Sequence, residues 1–326
     1  MRRRTRPLAV MASLALAATG VIAGAASASA DTVTRCIGTA GEVTVAGDLV
    51  VPADRTCVLE GTTVHGDVLV RSGANLVATD ATFSERVVVN GGAFFDATDT
   101  TVGGNLVNNG AYGIYLDGTE VEGNYLGRAT EDSTFFYSTD AAIQGRLEAV
   151  SGDVYLESTE VGRWVNTEGT TYTDVIDSTI DGELTVAHNP YGASICASEV
   201  DGTTTYIGNG GVQAGPGLWL TDCEEINYFG ADVTISESTG QVDLSGSIIR
   251  GDLSGTDNET RPTGSDNRIR GEAGEQFKNL RPASDISTPR FQEDDDVRTP
   301  DRVRTDRDDR RADAIAHGAD LGPAGL

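Results

Sequence analysis

Hydrophobic and polar positions along this chain follow a pattern that returns at intervals of mostly 18 to 22 residues. Each copy is centred on a turn position, the anchor, which is usually glycine. The residue two positions before the anchor is apolar in every copy, and the residue two positions after it is apolar with one clear exception, Thr204. The anchors are Gly47, Gly66, Glu85, Gly104, Gly123, Gly145, Arg163, Gly182, Gly202 and Gly251.

In most copies a second stretch of alternating apolar and polar residues precedes the one around the anchor, as in Cys57/Leu59 and Phe95/Ala97. Alternation with a period of two, in short segments rich in Val, Ile and Thr, predicts strands with one buried face. A repeat of this length, made of short strands and turns, leaves no room for a helix, which excludes leucine-rich and ankyrin-type repeats. We therefore predict an all-β fold, a single-stranded parallel β-helix (solenoid) in which each copy is one coil.

We expect this solenoid to have ten to eleven coils. The interval between Gly202 and Gly251 has room for two turns, the second passing through residues 233–235. Right-handed coiling is favoured because the strict hexapeptide spacing of left-handed β-helices is missing. Residues before Cys36 and after the last coil are expected to cap the open strand edges.

Two polar columns recur beside the anchors. Four positions before the anchor a hydroxyl recurs at Thr62, Thr100, Thr119, Thr159, Ser178, Ser198 and Ser247. Directly after the anchor, Asp or Asn recurs at Asp48, Asp67, Asn105, Asn124 and Asp252. Such side chains satisfy the backbone groups of turns, so a structural role is favoured. An ice-binding or metal-binding ladder is the alternative, which the single hydroxyl column disfavours.

The start of the chain differs from the repeats. Residues 1–30 combine a basic start, an apolar run from Leu8 to Ala26 and small residues before Asp31. This arrangement is typical of a secretory signal peptide, cleaved before Asp31. A retained membrane anchor is the alternative, and it is disfavoured because the run is rich in Ala and Gly rather than Leu.

We assign residues 31–280 to the β-helix with its N-terminal cap. Residues 281–326 are rich in Asp and Arg and lack the period-two pattern. Segments of mixed high charge with few apolar residues cannot bury enough surface to fold on their own. We therefore expect a disordered tail, or at most a short helix near residues 301–317.

Acidic residues outnumber basic ones in the chain, 50 to 24. Four arginines lie in residues 1–30, so cleavage leaves 20 basic and 50 acidic residues and a net charge of −30. Nucleic acid and anionic lipid are excluded as partners because they bind clustered Lys and Arg. The expected partner is an extracellular polysaccharide or another component of the cell envelope, and the acidic surface suits associated cations. No cofactor or bound metal is predicted, and no further segment is apolar enough for membrane insertion.

The four cysteines form two pairs that are local in sequence. Cys36 precedes Cys57 by 21 residues, and Cys196 precedes Cys223 by 27. In the oxidising surroundings of a secreted protein, two disulfides are the favoured interpretation. A zinc site is the alternative, but the CxxC spacing and the histidine pair of such sites are missing.

Outward positions of the preceding strand are unusually aromatic in five successive coils. They are Phe94, Asp96, Gly113, Tyr115, Phe135, Tyr137, Asp153, Tyr155, Tyr172 and Asp174. Aromatic rows with nearby carboxylates can bind sugars, because rings stack on the apolar pyranose face while carboxylates accept hydroxyl hydrogen bonds. We predict a ligand-binding face here. The alternative is that the rings pair with each other, or that the C-terminal tail or a second chain covers them.

Exported β-helices resemble the pectate lyase and polygalacturonase superfamily, a resemblance that implies a carbohydrate-active lyase or glycoside hydrolase. Only one segment of this chain, R-I-R at residues 268–270, resembles a polygalacturonase motif, and it lies beyond the regular coils. Pectate lyases need a basic residue beside calcium-binding acids, and the central coils contain few arginines. His65 and His188 lack a partner at the spacing of a catalytic dyad.

We therefore predict no catalytic residues and favour a non-catalytic binding or structural protein. An enzyme would need a cleft built by projecting loops, and the one sizeable insertion is G-N-G-G-V-Q-A-G-P-G at residues 208–217. Trp219 lies directly beside it, so we add this residue to the candidate ligand-binding set. A deep acidic groove at this insertion would favour the enzymatic alternative.

The whole arrangement resembles uncharacterised secreted repeat proteins of actinobacteria, which share a signal peptide, V-x-G-D-L-x-V coils and a closing G-N-L-x-C-x-x-N segment. The resemblance spans roughly residues 30–280, and the closing segment here is G-D-L-S-G-T-D-N at residues 251–258. Where those proteins tend to carry two cysteines, this chain has Gly255 and Phe277, which implies the loss of one disulfide. The coils are also similar to bactofilins, which form polymers in the cytoplasm. The resemblance implies fold and export, but no activity.

Overall fold

A computed structural model describes residues 33–129, 134–217, 219–282 and 300–326. Within them the chain forms a parallel β-solenoid of about twelve coils, and successive coils add strands to three parallel sheets. The predicted all-β solenoid is confirmed, while the right-handed coiling stays a prediction. The assigned signal peptide lies outside the described residues.

Sheet 1 contains twelve strands that follow the anchors or, in the first coil, precede the first anchor. They are Val33–Arg35, Asp48–Val51, Val68–Val70, Val87–Asn90, Leu106–Asn109, Tyr125–Gly127, Leu147–Ala149, Val165–Glu168, Leu184–Ala187, Thr204–Ile207, Val233–Ser236 and Leu253–Ser254.

Sheet 2 contains the eleven strands that come next in each coil. They are Gly38–Ala40, Thr56–Glu60, Asn75–Thr79, Phe94–Thr98, Gly113–Asp117, Phe135–Thr139, Asp153–Glu157, Tyr172–Ile176, Ala193–Cys196, Val212–Ala214 and Val242–Leu244.

Sheet 3 contains twelve two-residue strands that lead into the anchors. They are Thr44–Val45, Thr63–Val64, Thr82–Phe83, Thr101–Val102, Glu120–Val121, Ala142–Ile143, Glu160–Val161, Thr179–Ile180, Glu199–Val200, Tyr228–Phe229, Ile248–Ile249 and Arg268–Ile269.

The core is a stack of in-register apolar columns that runs the length of the solenoid. Phe95 of sheet 2, for example, pairs with Leu76 in the coil before and with Ile114 in the coil after. The apolar positions two residues before and after each anchor are buried, as the alternation predicts. Thr204 is buried as well and pairs in register with Leu184, so one position of this otherwise apolar column is polar.

The coil count is higher than the ten to eleven expected. The 49-residue interval does hold a second turn, with Tyr228–Phe229 in sheet 3 and Val233–Ser236 in sheet 1. An alanine, Ala231, stands at its anchor. The last rung was missed because Arg268–Ile269 looked like an isolated R-I-R motif, whereas it pairs in register with Ile248–Ile249 and belongs to the regular coils.

The hydroxyl column lies at the corner between sheets 2 and 3 and serves the backbone. The Thr100 hydroxyl donates to the carbonyl of Thr98 at 2.9 Å and accepts the amide of Ala81, one coil earlier, at 3.3 Å. The Thr119 hydroxyl is placed in the same way, with its acceptors Ala97 and Asp117 both at 3.1 Å. These bonds support the structural interpretation of the column.

The Asp and Asn column also bonds from one coil to the next. The Asp48 carboxylate accepts the amide of Asp67 at 2.9 Å, and the Asn105 side chain accepts the amide of Asn124 at 2.9 Å. Each side chain therefore replaces a sheet hydrogen bond at a turn, where the backbone has no direct partner.

The two predicted disulfides are confirmed. Cys36–Cys57 joins the first two coils, and Cys196–Cys223 ties the insertion to sheet 2, with Cα–Cα distances of 5.5 and 5.8 Å. Loops of this size correspond to roughly 3 kcal/mol each in the chain-entropy account of cross-links. Both bonds thus clamp places where regular stacking is weakest, the first coil and the long connection.

Gly255 and Phe277, the two positions to which the resemblance assigns a lost disulfide, are in contact. A Cβ built on Gly255 would lie 2.8 Å from the Phe277 ring. Phe277 belongs to a short 3-10 helix, Glu275–Phe277, and its ring is buried in the end of the core. The ring thus lies where the resemblance places the lost disulfide.

Residues 300–326 do not match the expected disordered tail, and the helix they contain is longer than the alternative near residues 301–317. Pro300–Leu321 form a 22-residue helix, α1, that packs against sheet 2. Beyond it, the Thr39 amide donates to the Gly322 carbonyl at 2.9 Å, and the Ala324 amide donates to the Thr39 carbonyl at 2.7 Å. The C-terminus therefore covers the first edge of sheet 2, whereas Val33–Arg35, expected to be a cap, form the first strand of sheet 1.

We predict that Thr119→Val destabilises the rod by about 1–3 kcal/mol, because it leaves buried backbone groups without their hydroxyl partner. The matched control is Thr82→Val, whose side chain is exposed on sheet 3. Urea unfolding followed by circular dichroism would compare the midpoints. Equal shifts in the two variants would contradict the role of the hydroxyl column.

Candidate functional site

The structure brings the predicted aromatic and acidic residues together on the outer face of sheet 2. One column runs through Asp96, Tyr115, Tyr137, Tyr155 and Asp174 in register. A second column beside it contains Phe94 paired with Gly113, and Phe135, Asp153 and Tyr172 in successive coils. We call this surface the aromatic face.

The rings of the aromatic face contact each other across coils. The Tyr115 ring centroid lies 4.7 Å from that of Phe135 and 5.3 Å from that of Tyr137. Gly113 makes room for this arrangement, since a Cβ there would lie within 1.7 Å of the Phe135 ring. Aromatic contacts of this kind add to the energy of simple burial.

Helix α1 closes the aromatic face. Phe94, Tyr115 and Tyr155 are buried in a cluster with Val303 of the helix. Asp96, Tyr172 and Asp174 are also buried, while Phe135, Tyr137 and Asp153 are partly exposed. The rings therefore do not form an open surface for a polymer, and a sugar bound there would have to displace α1.

Charged contacts hold the helix in place. The Asp96 carboxylate is fully buried and accepts hydrogen bonds from Arg307, at 3.1 Å, and from Arg311. Arg307 also bonds Asp117 at 2.5 Å and the Thr98 hydroxyl at 2.8 Å. A buried carboxylate shared by two guanidinium groups leaves none of these charges unpaired, as burial requires.

Further arginines extend this contact along the helix. Arg304 bonds the Glu157 carboxylate at 2.5 Å. The Arg310 guanidinium lies over the rings of Tyr112 and Phe94, 4.1 and 5.3 Å from their centroids. A helix of 22 residues is about 33 Å long. It is long enough to cross the seven strands of sheet 2 from Asp153–Glu157 back to Gly38–Ala40, whose six spacings of about 4.8 Å add up to about 29 Å.

Helix α1 directs arginines at sheet 2 and leaves its aspartates exposed. Arg304, Arg307 and Arg311 follow each other at helical spacing and bond sheet 2. The exposed aspartates are Asp306, Asp308, Asp309, Asp313 and Asp320. Although burial alone would lower it, the bonds to Asp96 and Asp117 hold the pKa of Arg307 above its ordinary value.

Tyrosines of the aromatic face are kept neutral by their surroundings. The Tyr137 hydroxyl lies 2.8 Å from that of Tyr172 and 3.4 Å from the Asp153 carboxylate. Burial, followed by these two neighbours, raises the pKa of Tyr137 above its usual range. Burial likewise raises the pKa values of Tyr115 and Tyr155.

The expected insertion at residues 208–217 is placed too early, because its residues Val212–Ala214 are a regular strand of sheet 2. The insertion is the connection from Gly215 to the strand Tyr228–Phe229, and Trp219 lies on it, apart from the rings of the aromatic face. The Gln213 side chain, outward on sheet 2, accepts the amides of Trp219, Leu220 and Thr221 at 2.8 to 3.3 Å. The Trp219 ring is packed against Gly211, where a Cβ would lie 2.4 Å from it. The insertion is therefore folded down onto sheet 2, two coils beyond Tyr172, and does not project as the wall of a cleft.

Other candidate chemistry is dispersed. A recess of about 230 Å³ beside the insertion is lined in part by Asp177, Glu199, Ile226 and Tyr228. His65 lies near a serine hydroxyl at an exposed turn. Among the described residues, no three His, Cys, Asp or Glu side chains converge as a metal site.

Cover of the rings by the C-terminal tail was expected only as the alternative to a ligand-binding face, and the arginines of α1 were not predicted as partners of that face. The signal that could have found them is the spacing of Arg304, Arg307 and Arg311, which places three cations on one side of a helix. Opposite them, the predicted face offered an outward carboxylate at Asp96.

Comparisons with known proteins identify no relative. No protein family matches the sequence. No curated protein and no solved structure matches the chain either. None of the helices within the described part of the chain has the length and apolar character needed to cross a membrane.

We predict that Asp96→Asn releases α1, because breaking one partner of a buried ion pair costs about 3–5 kcal/mol. Mass spectrometry after brief trypsin treatment would show faster cleavage after Arg307 and Arg311. Asp181→Asn, at an exposed turn after sheet 3, is the matched control. Cleavage at the wild-type rate in the Asp96 variant would contradict the role of the ion pairs.

Alkaline pH is expected to destabilise the fold through the buried tyrosines. Their pKa values are raised in the folded state, so the stabilisation is complete below the unfolded pKa of about 10 and declines as pH rises above it. Urea midpoints at pH 9 and pH 11 should therefore differ less in Tyr137→Phe than in the wild type. Identical pH dependence in the two proteins would argue against this effect.

Proposed function

We propose that this protein is an exported, non-catalytic β-helical rod that binds a polysaccharide of the cell envelope or its surroundings, at or near the cell surface. The observation that carries the proposal is that long loops do not project from the described coils. Through most coils the described turns are short, and the one long connection is fastened down by Gln213 and by Cys196–Cys223. Such a molecule offers long faces to a polymer rather than a cleft around a scissile bond.

Export is supported by the chemistry of the cysteines. All four are paired in disulfides, which form and persist in oxidising compartments outside the cytosol. The signal-like residues 1–30 favour the same location. The strongly acidic composition, with 50 acidic and 24 basic residues, keeps such rods apart in solution.

The aromatic face could bind a polysaccharide only if helix α1 moved away from it. Its rings are covered by α1, and the buried Asp96 is already bonded to two arginines. A polysaccharide would have to replace these charged contacts as well as the ring contacts. An open face of the rod is therefore the better candidate for the binding surface.

Sedimentation with insoluble peptidoglycan, chitin and cellulose tests the proposed function. We expect the full chain to be depleted from solution by at least one of these polymers, without release of new reducing ends. Release of reducing ends would favour the lyase or hydrolase alternative, with the recess beside Asp177 and Glu199 as the first place to substitute. Failure to sediment with any of the polymers would contradict the proposal.

A further inference from the structure

The turns that lead into sheet 1 carry a half-buried tryptophan, Trp164, directly before the strand Val165–Glu168. Trp164 precedes Val165, whose side chain points into the core, so the Trp164 side chain lies on the outside, half-buried. Backbone hydrogen bonds between coils place Arg86, Asn105, Asn124, Arg146 and Trp164 in one column. We call this column and the positions beside it the Trp164 strip.

The Trp164 ring is held as a flat platform. The Arg146 guanidinium lies over it, 5.2 Å from the ring centroid. Arg146 is itself oriented by the Glu148 carboxylate, 3.5 Å from its Nε. A partly exposed indole, fixed by a stacked cation, is suited to stacking on the apolar face of a sugar ring.

Amide groups continue the strip beside the platform. The Asn124 side chain donates to the Asn105 side chain at 2.8 Å, and its oxygen accepts the amide of Arg146 at 3.1 Å. The two amides are thus fixed in orientation and only partly buried. The Asn105 oxygen already accepts two hydrogen bonds from Asn124, so the two amides offer mainly their remaining N–H groups, which can donate to the hydroxyl groups of sugars.

An aliphatic column runs next to the amides. Val88, Val107 and Leu126 are in register in successive coils, on the outward side of sheet 1. These three residues cover two coil spacings, and the position is polar in the next two coils, at Glu148 and Asn166. The whole strip from Arg86 to Trp164 covers four coil spacings, on the order of 19 Å. This length accommodates several sugar units of an extended chain lying along the rod.

The charge of the strip selects the class of polymer. Arg86 is paired with Asp67 at 2.7 Å, and Arg146 with Glu148. The strip is therefore close to neutral, on a rod that carries 39 acids and 12 bases between residues 31 and 280. The surrounding acids would repel a polyanion such as polygalacturonate, and they leave neutral chains unaffected.

We propose that the Trp164 strip is the site at which the rod binds a neutral polysaccharide. This inference rests on the proposed function and names its binding surface and ligand class. Trp164 supplies the stacking platform, Asn105 and Asn124 the hydrogen bonds, and the aliphatic column the apolar contact.

The chain has only two tryptophans, which allows a direct test in the full protein. In Trp219→Phe, the fluorescence of Trp164 is the sole indole signal, and titration with cellohexaose and chitohexaose reports on this site alone. We expect a saturable change with at least one of the two oligosaccharides, and none with polygalacturonate. A response to polygalacturonate alone would overturn the assignment to neutral chains.

Sedimentation with the insoluble polymers completes the test. We expect Trp164→Ala to bind at least tenfold more weakly than the wild type and Trp164→Phe to recover part of the loss. Trp219, although first predicted as a ligand-binding residue, packs its ring against Gly211 outside the strip, so Trp219→Phe should bind as the wild type does. Circular dichroism checks that each variant is folded. Wild-type binding by Trp164→Ala would overturn this inference and leave the proposed function standing, whereas absence of binding by the wild type would overturn both.

Discussion

The structure depends on one constraint: each coil can satisfy its backbone hydrogen bonds only through the coils above and below it. Along the strands this is achieved by in-register pairing, as between Phe95 and Ile114. At the corners, where strands end, side chains take over, as the Thr100 hydroxyl and the Asp48 carboxylate do. Because a missing partner at any corner would leave buried polar groups unpaired, the corner columns are as much a part of the fold as the apolar core.

The same constraint makes the ends and the outer faces of the rod different from its middle. At one end, Phe277 closes the core with a large ring. At the other, the chain returns along sheet 2 as helix α1 and pairs with Thr39. The helix binds mainly through arginines on acidic and aromatic groups, so that a face with the composition of a sugar site is used for an internal contact. At the turns before sheet 1, by contrast, Trp164 and the amides of Asn105 and Asn124 are only partly buried.

The sequence was sufficient to predict the columns, since period-two alternation and the recurring glycine leave one way to stack the coils. The disulfides followed because Cys36 and Cys57 fall one coil apart. A helix near residues 301–317 was expected only as the alternative to disorder, since the side of α1 that faces sheet 2 is built mostly of arginines and small residues. The complementary Asp96 and Asp117 bind that side, and they lie some 200 positions away from it in sequence.

The contact between Thr39 and residues 322–324 has a consequence for the order of folding. Val33–Ala40 are synthesised nearly three hundred residues before Gly322 and Ala324, yet these segments are neighbours in the folded molecule. The first strand of sheet 2 therefore keeps one edge unpaired until residues 322–324 have been translated. Until then that edge is able to pair with another chain, so folding of the first coils and aggregation compete during synthesis.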